Sequence, residues 1–380
     1  MLDKPTLGLT MILKFNEPPK IVKRAIDSVK DFVDDMFITI TKNSDKDDTS
    51  KLEKLLKTYK AKVSYFNWNY SFAKARNYNL QQATTDYIFW FDCDDVVDNP
   101  RTFSTIVNDM VANNLAAVFF PYWYAVELDD QGKVKEILIE HKRERILKND
   151  GAFKWIGDLH ETLIEQRTEN IIKVQRNDFV VIHLSDPKRV DENIERNIKI
   201  LEKQAAKEQH KDPRTLLYLA KAYTDKGRAA KTKEDIKIFF ELALTLFTEY
   251  LEGSGDPGRV GHIEGSGWPE ERASAWSYIA EISQLNQQYD VAINALYNAL
   301  IEDPYSPMYY LSLAIVYAMK KDFQKAKHWL QVATTIKEPD TTLINTPRDL
   351  KMRALEVDYN VALNEGRLDD AVRDSEMLCE

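Results

Sequence analysis

The sequence predicts an α/β domain built on a mixed sheet, followed by an all-α domain of helical pairs, and three observations carry that reading. In the first half, short apolar runs such as Leu7–Leu13, Met36–Thr41 and Tyr87–Phe91 alternate with amphipathic stretches of helical period, as in successive βαβ units. The run Tyr87–Phe91 ends in three carboxylates, Asp92, Asp94 and Asp95. From Val190 onward the strand pattern stops, and residues recur at a fixed offset of 34 positions.

The first strand is Leu7–Leu13, with Lys14-Phe-Asn-Glu17 as its C-terminal loop. A helix begins at Pro18-Pro19, where proline is tolerated in a first turn, and a second strand follows at Met36–Thr41. That strand runs into a polar, charge-rich loop, Lys42–Thr49, in which Lys46 to Asp48 have the character of a solvated turn. Residues 51–60 are an amphipathic helix and 63–66 a third strand. Ser71 is placed to cap the next helix, with Phe72, Ala73 and Ala75 turned inward.

Tyr87–Phe91 is too short for a typical helix and rich in aromatics, which suits a strand buried on both faces. Ligands of open α/β sheets collect beyond the carboxyl ends of the strands, so acidic residues there face a binding crevice. Asp92 and Asp94 point to one side if the chain stays extended, and hard oxygen ligands suit Mg²⁺ or Mn²⁺. A solvated acidic turn has the same composition. Residues 102–113 form a helix and 117–126 a long aromatic strand; a turn at Asp129–Gly132 returns the chain through Lys133–Glu140. This antiparallel pair is expected at the edge of the sheet. Phe179–Leu184 is a final apolar strand carrying His183, with Pro187 closing the domain.

Asp-x-Asp-Asp after an apolar strand, preceded by Ser71-Phe-Ala-Lys-Ala-Arg-Asn77, resembles the family 2 glycosyltransferases of GT-A fold, in particular the bacterial group with helical repeats behind the catalytic domain. The likeness covers roughly residues 7 to 185. It implies a nucleotide-sugar donor, a UDP-sugar first, whose diphosphate is bridged by a divalent metal, Mn²⁺ or Mg²⁺, on Asp94 and Asp92. His183 sits where such enzymes supply a late histidine to the metal; read alone, a histidine after a strand is more often a structural residue than a ligand. The family's first loop reads Lys-Asn-Glu, so Asn16 and Glu17 match and line the nucleotide pocket by resemblance. The family usually has an Asp at the end of the second strand; here Thr41 stands in its place, with Asn43 and Ser44 able to hydrogen-bond a base or ribose. Lys74, Arg76 and Cys93 complete the donor side. Arg76 would clamp the diphosphate, the alternative being a surface salt bridge to Asp86. Gly157-Asp-Leu-His-Glu161 resembles the Gly-x-x-His-Glu element of the repeat-bearing members, which implies a general base in Glu161, or Asp158, with His160 on the diphosphate or metal.

In the second half Ala280 pairs with Ala314, Tyr289 with Phe323, Ala292 with Ala326, Leu296 with Leu330 and Ala299 with Ala333. That period is the tetratricopeptide repeat's, and stacked units of this kind bind peptides, brace a neighbouring domain or pair two copies. Leu216–Tyr223 reads as an earlier unit and residues 359–377 as a later one. The stretch Glu252–Trp268 holds six of the chain's twelve glycines without Walker spacing, and reads as a flexible connection that would also allow His262 and Trp268 to reach an acceptor.

Composition fits this organisation. A chain of 380 residues, 44% hydrophobic and 30% charged, suits two globular domains, expected at 1–188 and 189–380. A net charge of −9 argues against a nonspecific polyanion binder. Two cysteines imply no disulfide framework, no run approaches the roughly 20 apolar residues of a membrane span, and a cytoplasmic location is expected. The expected activity is metal-dependent, inverting transfer of a sugar to an acceptor. A peptide or protein side chain ranks first; a modified nucleic-acid base, a polysaccharide or a lipid-linked sugar stays open. A decayed site serving only as a scaffold for the repeats is the rival reading.

Overall fold

A computed structural model describes residues 4–167, 172–184, 190–208, 212–253, 267–336 and 346–379. The chain divides into two compact units, one of residues 1–187 with Thr341–Thr346, the other of the remainder.

The first unit runs β1 (Leu7–Lys14), α1 (Pro19–Asp27), β2 (Asp35–Lys42), α2 (Ser50–Thr58), β3 (Lys62–Asn67), α3 (Phe72–Gln82), β4 (Tyr87–Trp90), β5 (Asp95–Asp98), α4 (Phe103–Ala112), β6 (Leu115–Leu128), β7 (Val134–Lys148), β8 (Phe153–Ile156), β9 (Thr162–Glu165), β10 (Ile172–Gln175) and β11 (Val180–His183). Nine strands form one sheet in the order β3-β2-β1-β4-β7-β6-β11-β5, with β10 also on β6, while β8 and β9 make a separate hairpin. β1 to β4 are parallel, β7 is antiparallel to both neighbours, and β11 runs parallel to β6. This order brings the carboxyl ends of β1, β2, β4 and β11 to one edge of the sheet, where an open α/β sheet binds its ligands.

The alternation of side chains along β4 divides the packing. Phe89 and Phe91 enter a large cluster with Val22 and Ile26 of α1, Leu52 and Leu56 of α2, and Phe103 and Ile106 of α4. Trp90 joins a second cluster with Ala73 of α3, Trp155 of β8 and Leu163 of β9. Trp90 and Trp155 meet edge to face at 5.0 Å, a geometry that adds about 0.5–1.5 kcal/mol beyond area burial.

Two expectations are corrected. The β6–β7 pair lies inside the sheet, because β4 covers one side of it and β11 the other. β7 also continues eight residues past Glu140, through the charged run His141–Arg145. Those charges are tolerated in a central strand because Arg145 finds Asp95 and aromatic rings there.

The second unit comprises α5 (Val190–Glu208), α6 (Pro213–Ala229), α7 (Lys233–Gly253), α8 (Pro269–Leu285), α9 (Tyr289–Glu302), α10 (Pro307–Met319), α11 (Phe323–Thr335), α12 (Pro347–Glu365) and α13 (Leu368–Cys379). It resembles tetratricopeptide-repeat proteins: α8/α9 and α10/α11 repeat the 34-residue spacing, and the small residues Ala280, Ala292, Ala314 and Ala326 are buried where helices meet. Of the glycine-rich stretch, residues 254–266 with His262 lie outside the described residues, as does Pro187. Among the described residues no helix is long and apolar enough to cross a membrane.

Candidate active site

The acidic turn begins where β4 ends. The chain does not stay extended beyond Trp90: it turns at Cys93 and Asp94, closed by the Asp95 amide donating to the Asp92 carbonyl at 3.2 Å, and Asp95 opens β5. The turn sends the three carboxylates to different partners.

Asp92 accepts from Arg76 Nη2 at 2.7 Å. Burial pushes its carboxyl up, but the Arg76 and Arg145 guanidiniums outweigh this and hold it below the usual range. Asp94 lies 3.6 Å from His183 Nδ1. Burial, reinforced by Asp92 and Asp95 against the opposing pull of His183, raises its carboxyl to about 6. Asp95 is fully buried. Its Oδ1 accepts from the Tyr122 hydroxyl and meets His183 Nδ1, both at 3.0 Å, and its Oδ2 lies 3.2 Å from Arg145 Nη2.

The sequence places Asp95 in the acidic cluster without assigning it a role. Antiparallel pairing of β5 with β11 sets Asp95 opposite His183. A carboxylate on a ring nitrogen fixes the imidazole, as the carboxylates behind metal-binding histidines do. Tyr124 stacks on the other side of the ring at 5.2 Å, almost parallel. Burial lowers the His183 pKa, yet the Asp95 bond and the surrounding carboxylates win and raise it.

A divalent ion fits this corner. Asp94, Asp95 and His183 each offer a ligand atom, all within 4.8 Å of one another; the carboxylates suit a hard divalent ion, and the imidazole widens the set to other transition metals. Asp95 is already committed to Arg145, Tyr122 and His183, so its chemistry is that of an orienting group behind the ligands.

Arg76 and Glu161 come together by a local device. Asn77, next to Arg76 on α3, donates to the Trp155 carbonyl at 2.8 Å and accepts from the Trp155 amide at 2.9 Å, fastening β8 to the helix. The Phe72 amide, in the first turn of α3, holds the Asp158 carbonyl at 2.9 Å, and Ser71 caps the helix through the Lys74 amide at 3.2 Å. The loop 157–161 is therefore pinned at two places. Within it Gly157 has φ 87° and His160 φ 52°, a left-handed conformation that side-chain-bearing residues adopt rarely and that concentrates at functional loops.

Glu161 then meets Arg76 Nε at 2.6 Å. Arg76, with 11% of its side chain exposed, thus spans Asp92 and Glu161, and its guanidinium lies 5.0 and 5.1 Å from the rings of Trp90 and Trp155. Burial opposes its charge but the two carboxylates prevail and raise its pKa. The alternative partner expected for Arg76 is corrected: Asp86 instead accepts from the Thr6 amide and hydroxyl, both at 2.8 Å.

The remaining candidates divide. Glu17 is buried in the loop after β1 and acts electrostatically on Cys93, whose thiol is raised by burial and by Asp94, so this loop and the acidic turn adjoin. Asn16 is exposed. Thr41 is buried, with its hydroxyl donating to the Leu13 carbonyl at 3.1 Å. The Asn43 and Ser44 amides donate to Asp47 Oδ2 at 2.6 and 3.3 Å, so Asp47, read as solvated, organises this loop. The side chain of Lys74 is exposed.

Residues 11–171 match the family model described as Glycosyl transferase family 2. No curated protein matches the chain. Among solved structures, MamA is similar at 20% identity, covering 51% of this chain and 91% of its own, with a TM-score of 0.35. PilF of Pseudomonas aeruginosa is similar at 13% identity, 50% and 69% coverage and a TM-score of 0.35. TarS 1-349 of S. aureus is similar at 10% identity, 87% and 92% coverage and a TM-score of 0.35.

Proposed function

We propose that this chain, whose N-terminal domain belongs to glycosyl transferase family 2, moves a sugar from a nucleotide-diphosphate donor to an acceptor in a single inverting displacement, a UDP-sugar ranking first as donor and a peptide or protein side chain as acceptor. The observation that supports the reading is the guanidinium of Arg76, which ties Asp92 of the acidic turn, proposed for the donor side, to Glu161 of the pinned loop, proposed as the base.

Asp94, with His183 and Asp92, would hold a divalent ion, which when bound neutralises charge on the leaving diphosphate. Asp95 orients His183 from behind. Glu161 gives one oxygen to Arg76, and its Oε2 has no hydrogen-bond partner among the described residues. That oxygen would take the acceptor's proton, while Arg76 keeps the carboxylate in place. Asp158 and His160, in the same loop, are the second candidates for proton transfer and diphosphate contact. Asn16, Glu17, Thr41, Asn43, Ser44 and Cys93 would border the base and ribose, and Lys74 lies on the outer side of α3. The helical repeats would present the acceptor.

Incubation with a panel of nucleotide sugars and Mn²⁺ tests the reading through slow donor hydrolysis. Consumption of one donor that stops on chelation is the expected result. Absence of hydrolysis and of binding across the panel overturns it.

A further inference from the structure

Arg76 is occupied with two carboxylates, and so the anionic end of the donor needs another cation. β7 supplies one through an irregularity. Val118 pairs with Ile146 but Phe119 pairs with Glu144, which leaves Arg145 as an extra residue, a β-bulge. Bulges re-aim side chains and are frequent beside active sites.

Here the bulge gathers guanidiniums on one ring. Arg145 lies 3.9 Å from the centre of Trp90, Arg143 5.3 Å and Arg76 5.0 Å. Arg145 is fully buried, and among the described residues none of its three side-chain nitrogens has a hydrogen-bond partner, while Asp95, at 3.2 Å, is the carboxylate paired with it. Arg143 differs in being partly open to solvent, 30% exposed. Its nearest carboxylate, that of Glu144, is 3.8 Å away, beyond hydrogen-bond range. Among the described residues, an accessible guanidinium without a close acceptor therefore stands beside a buried, unsatisfied one, both against Trp90 at the end of β4.

We propose that Arg143 is the diphosphate-binding cation of this site, with Arg145 behind it as a fixed positive charge. The inference rests on the nucleotide-diphosphate reading above. Arg143 would donate to two oxygens at once in the fork geometry that phosphates favour. The position of Trp90, two residues before Asp92 of the acidic turn, assigns the ligand to the donor's diphosphate.

The test measures binding of Mn²⁺ with inorganic pyrophosphate, which needs no knowledge of base or sugar, alongside a nucleoside diphosphate panel and a thermal melt. Arg143→Gln is expected to weaken pyrophosphate about tenfold to a hundredfold at a parent-like melting temperature, the size of a lost charge-assisted hydrogen bond. Arg143→Lys, which keeps the charge without the fork, is expected to recover part of the loss. Equal affinity of parent and Arg143→Gln overturns the assignment and leaves the glycosyl-transfer reading standing. A loss that Arg143→Lys does not relieve overturns it as well. A parent that binds neither pyrophosphate nor any nucleoside diphosphate overturns both.

Discussion

Arg76→Lys separates a guanidinium that organises the site from one that only meets substrate. In the structure Arg76 makes two charge-assisted bonds, to Asp92 at 2.7 Å and Glu161 at 2.6 Å, at 11% side-chain exposure. A lysine ammonium is a single point and cannot hold both carboxylates in the geometry of the fork. Losing one such bond costs about 1.5–3 kcal/mol, and weakening the contacts with Trp90 and Trp155 about 0.5–1 kcal/mol more. The expected loss of stability is therefore about 2–4 kcal/mol, which in a domain of this size lowers the melting temperature by about 5–12 °C. Tryptophan fluorescence is the assay, since Trp90 and Trp155 flank the group. Turnover is expected to fall together with stability, because Glu161 loses its anchor. An Arg76→Lys protein that melts within a degree of the parent while binding nucleotide more weakly would refute the organising role and restore the simple diphosphate clamp.

Glu161→Gln is expected to keep donor affinity while turnover falls by about 10² to 10⁴, the contribution of a positioned general base; a parent-like rate removes Glu161 from the chemistry. Asp94→Asn is expected to abolish Mn²⁺-dependent donor binding, read by calorimetry. Asn77→Ala breaks both bonds to the Trp155 backbone and is expected to cost about 1–3 kcal/mol in a denaturant titration, with turnover reduced as the 157–161 loop loosens. His141 is held down to about 3 by burial first and then by Arg143 and Arg145. The unfolded chain binds that proton near pH 6.5 and the folded chain does not, so stability is full above about pH 6.5 and falls on acidification towards pH 3, by about 2 kcal/mol between pH 7 and pH 5. Denaturation of His141→Phe at the two pH values is expected to show a smaller difference.

What the sequence made legible follows period and end effects. Tyr87–Trp90 was readable as a buried strand because four successive apolar residues leave a helix no polar face, and all four are buried. Ser71 was readable as a cap, and its hydroxyl accepts from the Lys74 amide. The repeat offset was readable because each buried alanine, at 280, 292, 314 and 326, recurs where two helices must approach closely. The end of β7 was not readable: His141-Lys-Arg-Glu-Arg145 has the composition of a loop, and it is Asp95 of β5, with the rings of Trp90 and Tyr122, that accommodates Arg145 in a strand.

The partnerships in the site were hidden for a different reason: they depend on register between distant segments. Asp95 and His183 meet because β5 and β11 pair antiparallel, and Arg76 meets Glu161 because Asn77 fastens β8 to α3. Those pairings set the electrostatic state of the pocket. Asp92, Asp94, Asp95 and Glu161 face Arg76, Arg143 and Arg145, which leaves one negative charge in excess before His183 is counted. A diphosphate entering this pocket would be repelled by Asp94, the carboxylate without an arginine against it, whose pKa is raised to about 6 by burial first and then by Asp92 and Asp95. One divalent ion at Asp94 reverses the excess, and Arg143, whose nearest carboxylate among the described residues is Glu144 at 3.8 Å, then faces the diphosphate. The expected order is metal before donor: nucleotide affinity should rise with Mn²⁺ and saturate with metal occupancy. Full nucleotide affinity in the presence of a chelator would show that the arginines alone suffice and that Asp94 is not a metal ligand.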